Sequence, residues 1–267
     1  MAIEFKNVSF RYPNGYMANE NLNLIIREGE QVAIVGQNGA GKTTAVKLMN
    51  GLHKPCEGEV LIDGTDTKTK TAAQIARTVG YVFQNPDDQI FNPDVRSEVA
   101  YMPTKMKLSE TEIKERVKWA MELTDIKKYR KENPLDIPYP IRKFVTIASV
   151  LAAKPKYIIL DEPTAGQDRH GIEILKNLLH VLKEDNVGVI TITHDMEFVA
   201  DNFQRIVAMA HKNIIADGTK EEIFWNEAVL EDSKICKPVI GELSELLGLS
   251  RKTLYLDEIV EEIKKHC

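Results

Sequence analysis

The chain has 267 residues, 43% of them hydrophobic, which is enough for one sizeable α/β core and a smaller appended segment. Its 35 lysine and arginine residues against 40 aspartate and glutamate residues give a formal charge of −5, so we expect no broad nucleic-acid-binding surface and no nucleic-acid partner. The cysteines Cys56, Cys236 and Cys267 lack metal-ligand spacing. We therefore expect neither a disulfide nor a zinc site. Free cysteines of this kind indicate a reduced, cytosolic setting.

No membrane-spanning segment is predicted. The N-terminus lacks a signal-peptide pattern, and the longest apolar runs, such as residues 145–153, have about half of the ~20 residues needed to cross a bilayer. Any role at a membrane should therefore be peripheral.

The chain begins with strand patterns. We predict strands from Ala2 to Phe10 and from Leu22 to Ile26, an apolar strand at residues 31–35, and a further strand from Glu59 to Asp63. These segments predict a β-rich region on both sides of the loop that follows residue 35.

That loop, Gly-Gln-Asn-Gly-Ala-Gly-Lys-Thr at residues 36–43, lies between the apolar run and the helix-compatible residues 44–49. It matches G-x-x-x-x-G-K-[ST], in which backbone N–H groups turn around an anion. Lys42 would supply charge to the outer phosphates, and the Thr43 hydroxyl suits Mg²⁺. A chance glycine-rich turn is the alternative, but the flanking strand and helix patterns favour a nucleoside triphosphate site.

From about residue 85 to residue 153 the pattern becomes helical. Ser109 to Glu112 predicts a capping box ahead of apolar residues at helical spacing. Beyond about residue 226, apolar spacing predicts two amphipathic helices. The first contains Val239, Leu243, Leu246 and Leu247, and the second contains Ile259, Val260 and Ile263.

Between these helical regions, short apolar runs return at residues 157–160, 187–191 and 205–209. A helix-length segment from Gly171 to Lys183 separates the first two, as parallel α/β units require. The first run ends in the adjacent carboxylates of Asp161 and Glu162. Taken alone, these carboxylates would more simply be two solvated acids after a strand. The phosphate loop upstream makes a catalytic pair the better interpretation, because the two motifs serve one mechanism. Asp161 is then expected in the Mg²⁺ shell, and Glu162 is expected to orient or deprotonate the attacking water.

The ordered set of the phosphate loop, Gln84, Asp161-Glu162, Ala165-Gly-Gln-Asp168 and His194 resembles an ABC-type ATPase over about residues 2–225. The resemblance implies an α/β fold: a P-loop NTPase core with an antiparallel β subdomain, a helical subdomain and a small C-terminal helical extension. It divides the chain into an ATPase domain at 1–225, with the helical subdomain at about 85–153, and an extension at 226–267 for dimerisation.

The resemblance also implies roles for single residues. Tyr12 is expected to stack on adenine, His194 to contact the γ-phosphate, and Gln84 to sense Mg²⁺, water and the membrane partner. Glu162, His194 and Gln84 form the expected catalytic set, and Thr43, Gln84 and Asp161 the expected Mg²⁺ set. The residues assigned to ATP are Tyr12, Gly36, Asn38, Gly39, Ala40, Gly41, Lys42, Thr43 and Thr44.

The segment Phe-Gln-Asn-Pro-Asp-Asp-Gln-Ile-Phe at residues 83–91 is similar to the ATPases of energy-coupling-factor importers for vitamins and for cobalt or nickel. This implies a transmembrane coupling subunit docking near Gln84 to Phe91, a separate substrate-binding membrane protein, and a location at the cytoplasmic face of the cell membrane. Asp87 and Asp88 fit either a docking role or a solvated acidic loop.

One segment departs from the family. The signature Leu-Ser-Gly-Gly-Gln, which grips the γ-phosphate bound by a partner subunit, is replaced by Ile-Pro-Tyr-Pro-Ile at residues 137–141. Pro138 has no hydroxyl, neither Pro138 nor Pro140 has a backbone N–H, and Tyr139 adds bulk where glycine permits close approach. We therefore expect a heterodimer with a second ABC ATPase whose signature is intact. A soluble ABC ATPase and an ATP-binding regulatory subunit remain the alternatives.

Overall fold

A computed structural model describes residues 1–248 and 252–266, so Cys267 and residues 249–251 of the predicted extension lie outside the described residues. The strands are β1 (Ala2–Arg11), β2 (Met17–Arg27), β3 (Gln31–Val35), β4 (Glu57–Ile62), β5 (Thr65–Asp66), β6 (Val79–Val82), β7 (Tyr157–Asp161), β8 (Gly188–Ile192), β9 (Arg205–Ala210) and β10 (Asn213–Thr219). The helices are α1 (Lys42–Met49), α2 (Ala72–Ile75), α3 (Val95–Lys105), α4 (Glu110–Leu123), α5 (Tyr139–Leu151), α6 (Arg169–Glu184), α7 (Met196–Asn202), α8 (Lys220–Phe224), α9 (Glu227–Ser233), α10 (Val239–Leu246) and α11 (Leu256–His266).

The central sheet has the strand order β10-β9-β3-β8-β7-β6, parallel throughout except for the antiparallel pair of β9 and β10. Its inner strands are apolar runs because both faces are covered. Along β3, Val32 and Ile34 join one hydrophobic cluster while Ala33 and Val35 join the other. The carboxyl ends of β3, β7 and β8 therefore share one edge of the sheet, where ligands bind in folds of this kind.

A second sheet, antiparallel and ordered β2-β1-β4-β5, packs with α1 on one face of the central sheet. Helices α3, α4 and α5 pack on one another, and their buried residues belong to the cluster on the opposite face. The predicted α/β class, with an antiparallel β subdomain and a helical subdomain, is confirmed by this arrangement.

Only one of the two hydrogen bonds of the predicted capping box is present at the start of α4. Ser109 Oγ accepts the backbone N–H of Glu112 at 3.2 Å, as expected. The Glu112 carboxylate does not return to Ser109, because it accepts a hydrogen bond from Arg116 at 2.7 Å, one turn further along the helix. The i,i+4 guanidinium offers a charged donor, which outcompetes a neutral backbone N–H.

Lys237 links α9 to α10. Its side chain is only 6% exposed and lies between the carboxylates of Glu227, at 2.8 Å, and Glu245, at 2.7 Å. Its ammonium also lies 4.8 Å from the centre of the Trp225 ring. The first predicted amphipathic helix is present as α10, where the buried positions Gly241 and Ser244 are small and Leu246 is 85% exposed.

Among the described residues, no helix combines the length and the apolar character required to span a bilayer.

Candidate nucleotide site

The phosphate loop connects the end of β3 to the start of α1, and two of its glycines are required by crowding. Gly36 has φ +140°, and a Cβ there would lie 2.1 Å from the carbonyl oxygen of Met209. Gly41 has φ +101°, and a Cβ there would lie 2.6 Å from the carbonyl oxygen of Ala18. Any larger residue would displace the backbone that shapes the loop.

Lys42 is the first residue of α1 and is 6% exposed. Its Nζ donates to the carbonyl oxygens of Gly36, at 2.6 Å, and Gln37, at 2.9 Å. Burial lowers the pKa of Lys42, while the charges of Glu162 and Asp161 act in the opposite direction. Because an ammonium has three donors, one is left for an oxygen of a phosphate.

The loop forms one wall of a cavity of about 460 Å³. The predicted site residues on its walls are Tyr12, Asn38, Gly39, Gly41, Lys42, Thr43, Thr44, Gln84, Asp161, Glu162 and His194. Two members of the predicted set do not line it: Gly36 lies where β3 leaves the sheet, and the side chain of Ala40 is buried in the core. The structure thus gathers residues that lie up to about two thirds of the chain apart, while their individual roles stay predictions.

Asp161 is the last residue of β7 and is 2% exposed. The hydroxyl of Tyr81, on the neighbouring strand β6, donates to Asp161 Oδ2 at 2.7 Å. Burial raises the pKa of Asp161, and this hydrogen bond and nearby lysines oppose the rise. The second carboxylate oxygen and the Thr43 hydroxyl are hard oxygen donors, the chemistry that Mg²⁺ requires, so the residues fit that ion. The sequence analysis predicted neither β6 nor a role for Tyr81 in the site.

Glu162 follows Asp161 with a left-handed φ of +50°, which turns its side chain toward His194. Its Oε1 lies 3.4 Å from His194 Nε2, and its Oε2 accepts the His194 backbone N–H at 3.4 Å. Burial raises the pKa of Glu162; burial, followed by the charge of Lys42, lowers the pKa of His194. A raised carboxylate pKa beside a neutral imidazole is suited to accepting a proton from water.

Tyr12 lines the cavity. Its ring meets Phe10 edge-on with centroids 5.0 Å apart, and its hydroxyl lies 3.0 Å from Thr44 Oγ1, so α1 and β1 together hold the ring. Tyr16, which the sequence did not single out, also lines the cavity and is 49% exposed. Its aromatic character four residues after Tyr12 was the available signal.

The substituted signature lies at the start of α5, with Pro138 as its N-cap and no side-chain cap. The backbone N–H groups of Ile141 and Arg142 both donate to the Pro138 carbonyl at 3.0 Å. Within residues 138–141 this leaves only the Tyr139 N–H without an acceptor among the described residues. The segment therefore offers one donor where a Ser-Gly-Gly sequence offers several.

Arg142 joins this segment to the loop after β6. Its guanidinium pairs with Asp87 at 2.5 Å and donates to the Ile137 carbonyl at 3.1 Å. Asp87 is thus engaged within the chain, which weakens the interpretation of its carboxylate as a free docking charge.

The description "ABC transporter" belongs to a family model that matches residues 19–165. A putative ABC transporter ATP-binding protein of Pyrococcus furiosus, PF0068, is 40% identical over 92% of this chain and 94% of its own length. The energy-coupling factor transporter ATP-binding protein EcfA of Methanocaldococcus jannaschii is 36% identical over 92% of this chain and 89% of its own. The structure of cbiO1 from Clostridium perfringens, described as part of the ABC transporter complex cbiONQ, superposes with a TM-score of 0.77 at 34% identity, covering 91% of this chain and 98% of that one.

The match covers more than half of the chain, and the relatives align over nearly all of it. The chain belongs to the ABC transporter ATP-binding family, and its fold is that of the family's ATPase subunits. The predicted resemblance, including the likeness to energy-coupling-factor ATPases, is confirmed.

Proposed function

We propose that this chain binds and hydrolyses ATP with Mg²⁺ to power an energy-coupling-factor type importer of a vitamin or a transition-metal ion. In this proposal it works as a heterodimer with a second ATPase subunit whose signature is intact. The observation that carries the proposal is an asymmetry: Lys42, Asp161 and Glu162 line one cavity, while residues 138–141 offer a single N–H donor among the described residues.

The cavity residues have complementary tasks. The loop N–H groups and Lys42 hold the phosphates, and Tyr12 holds the base. Glu162 accepts the proton of the attacking water, and His194 keeps that carboxylate oriented from 3.4 Å away. Bound Mg²⁺, held by Thr43 and Asp161 with Gln84 nearby, would neutralise charge on the phosphate oxygens. The donors missing from this site come from the signature of the partner.

Coupling to the membrane is supported by a second cavity, of about 320 Å³, between the central sheet and the helical layer. Its walls are mostly apolar and include Phe83, Phe91 and Tyr101, and Phe91 is 63% exposed. Gln84 lines the nucleotide cavity and directly follows Phe83, which lines this groove. An apolar helix end of a transmembrane coupling subunit fits such a groove, and closure of the ATPase pair would move it.

The same proposal locates the chain as a peripheral subunit at the cytoplasmic face of the cell membrane. A separate substrate-binding membrane protein selects the solute. We retain the division into an ATPase domain at residues 1–225 and a dimerising extension at 226–267 as part of the proposal.

The test compares steady-state ATP hydrolysis by the purified chain alone with hydrolysis by the chain co-expressed with its second ATPase. We expect little turnover alone and cooperative turnover by the pair, abolished by Glu162→Gln in this chain. Removal of several charge-assisted donors, each contributing about 1.5 to 3 kcal/mol, makes the difference large.

Robust cooperative turnover by the chain alone would sink the heterodimer requirement. ATP binding without hydrolysis in every combination would instead identify a regulatory subunit, and absence of a multi-span membrane protein on co-purification from membranes would favour a soluble ATPase.

A further inference from the structure

Lys143 is a fully buried lysine at the start of α5, with 0% of its surface exposed. Lysine is almost never fully buried unless its ammonium is paired. Here the Nζ atom donates to the backbone carbonyl of Glu162 at 2.5 Å and lies 3.5 Å from the carbonyl of Ala165. The described residues give it no ion pair, so its hydrogen bonds go to the main chain of the loop that carries the candidate base.

The backbone that Lys143 contacts is held in an uncommon conformation. Glu162 has φ +50°, which a residue with a side chain keeps only where its surroundings fix it. Its N–H donates to the carbonyl of Ile192, at the end of β8, at 2.8 Å. Lys143 holds its carbonyl from the other side, so Glu162 is fixed between the central sheet and α5.

We infer that Lys143 is a positioning residue for ATP hydrolysis. Its ammonium fixes the main chain of Glu162 and thereby keeps the Glu162 carboxylate opposite His194. The inference rests on the proposed ATPase function and adds a residue that does not line the nucleotide cavity.

The placement of Lys143 also gives the substituted signature a route to the chain's own site. Residues 137–141 form the start of α5, and Lys143 lies within the first two turns of that helix. A shift of the helix start on contact with the partner subunit therefore reaches the Glu162 carbonyl through one side chain. Gln167 Nε2 donates to the Pro140 carbonyl at 3.0 Å and links the same two segments nearer the start of the helix.

The test uses the heterodimer and compares Lys143→Met with Lys220→Met. Lys220 is the matched control because it is also buried, with 1% of its surface exposed, and donates to a backbone carbonyl, that of Ala200, at 2.5 Å. It is the first residue of α8, bonds to α7 and does not line the nucleotide cavity. Both variants lose a buried ammonium, but only one loses it beside Glu162.

We expect Lys143→Met to lower kcat about ten- to a hundredfold, because misplacing a reacting group by a fraction of an ångström has an effect of that size. The Kd for ATP, measured with a fluorescent analogue, should stay within about twofold, since only positioning for reaction is lost. Lys220→Met should lower Tm and leave kcat unchanged. Lys143→Gln, which keeps one N–H donor, should recover part of the lost rate and also decides the matter if Lys143→Met does not fold.

A purely structural Lys143 would give equal kcat in the Lys143→Met and Lys220→Met proteins, or no recovery in Lys143→Gln, and either result overturns the inference. Failure of the proposed function has a different pattern: the unsubstituted pair would not hydrolyse ATP, or Glu162→Gln would hydrolyse it at the same rate, and the inference would then fall with it.

Discussion

The two tyrosines that line the candidate nucleotide cavity are held differently. Tyr12 is fixed by Phe10, by His53 and by a hydrogen bond to Thr44, whereas Tyr16 is 49% exposed. A ring that is already ordered loses little conformational entropy when a base stacks on it. Tyr12 should therefore contribute more to ATP affinity than Tyr16.

We predict that Tyr12→Ala weakens ATP binding by about 1 to 3 kcal/mol, the usual contribution of base stacking on an aromatic ring. Tyr12→Phe keeps the ring and loses only the hydroxyl contact with Thr44, so its affinity should lie close to that of the unsubstituted chain. Isothermal titration with ATP measures both. Equal losses in the two variants would show that the hydroxyl, and not the ring, holds the nucleotide.

Among the elements, α3 is stabilised by an ionised N-cap. Asp94 accepts the Ser97 backbone N–H at 2.9 Å and the Ser97 hydroxyl at 2.7 Å. The Ser97 hydroxyl is the main cause that holds the pKa of Asp94 below its ordinary value. A carboxylate whose folded-state pKa is depressed contributes stability above its unfolded-state pKa and loses that contribution as the pH falls through the folded-state pKa.

Asp94→Ala should lower the free energy of unfolding by about 1 kcal/mol at neutral pH, the typical loss of an N-cap. The difference should shrink as the pH falls below the ordinary aspartate range, which urea unfolding at several pH values measures. Asp94→Asn keeps an acceptor and has no carboxylate to titrate, so its stability should lack this pH dependence. A difference between Asp94→Ala and the unsubstituted chain that is constant with pH would refute the assignment.

Helix α5 carries the sharpest departure from its family, and the departure is reversible by substitution. Pro138→Ser, Tyr139→Gly and Pro140→Gly together restore a side-chain cap and two backbone N–H groups at the helix start. We predict that the triple variant, purified alone, gains cooperative ATP hydrolysis of at least about tenfold, since each charge-assisted donor is equivalent to one or two factors of ten.

The same triple variant carrying Glu162→Gln is the control and should be inactive, because the restored donors act on a site whose base has been removed. If the triple variant keeps its helical content by circular dichroism and gains no turnover, the lost donors do not limit the rate of ATP hydrolysis by the chain purified alone.

At the scale of the whole molecule, the C-terminal helices present apolar side chains outward. Leu246 on α10 is 85% exposed and Val260 on α11 is 40% exposed, although Ile259 beside it is buried. Side chains of this size gain about 1.5 to 3 kcal/mol each on full burial, so a partner subunit that covers them would be held without ATP.

We predict that Leu246→Glu combined with Val260→Glu separates the ATPase subunits in nucleotide-free buffer, as measured by sedimentation velocity of the co-purified pair. Tm should change little because neither side chain is buried in the chain itself. Glu261→Gln, on the exposed side of α11, is the control and should leave the pair associated. A pair that stays intact with both glutamates present would remove the extension from the interface.

The periodic patterns of the sequence were sufficient for β3, β7, β8 and β9 of the central sheet, for α6 and for the phosphate loop, because those features depend on local spacing and on glycine at particular positions. They did not predict β6, which carries Tyr81, or β10. Local patterns were also insufficient where a side chain bonds to a partner other than the one that the spacing predicts. Glu112 pairs with Arg116 instead of completing the predicted capping box.

By itself, the sequence determined the class of protein, the position of the candidate phosphate loop, and the loss of backbone donors at Pro138 and Pro140, since a proline lacks an N–H wherever it lies. Only the tertiary structure decided which side chains outside the cavity hydrogen-bond to the residues that line it. Tyr81 reaches Asp161 across 80 residues, and Lys143 reaches the Glu162 carbonyl from another element. Such contacts form only when the sheet and α5 pack together. No local sequence pattern specifies which residue on another element a buried polar atom will bond to.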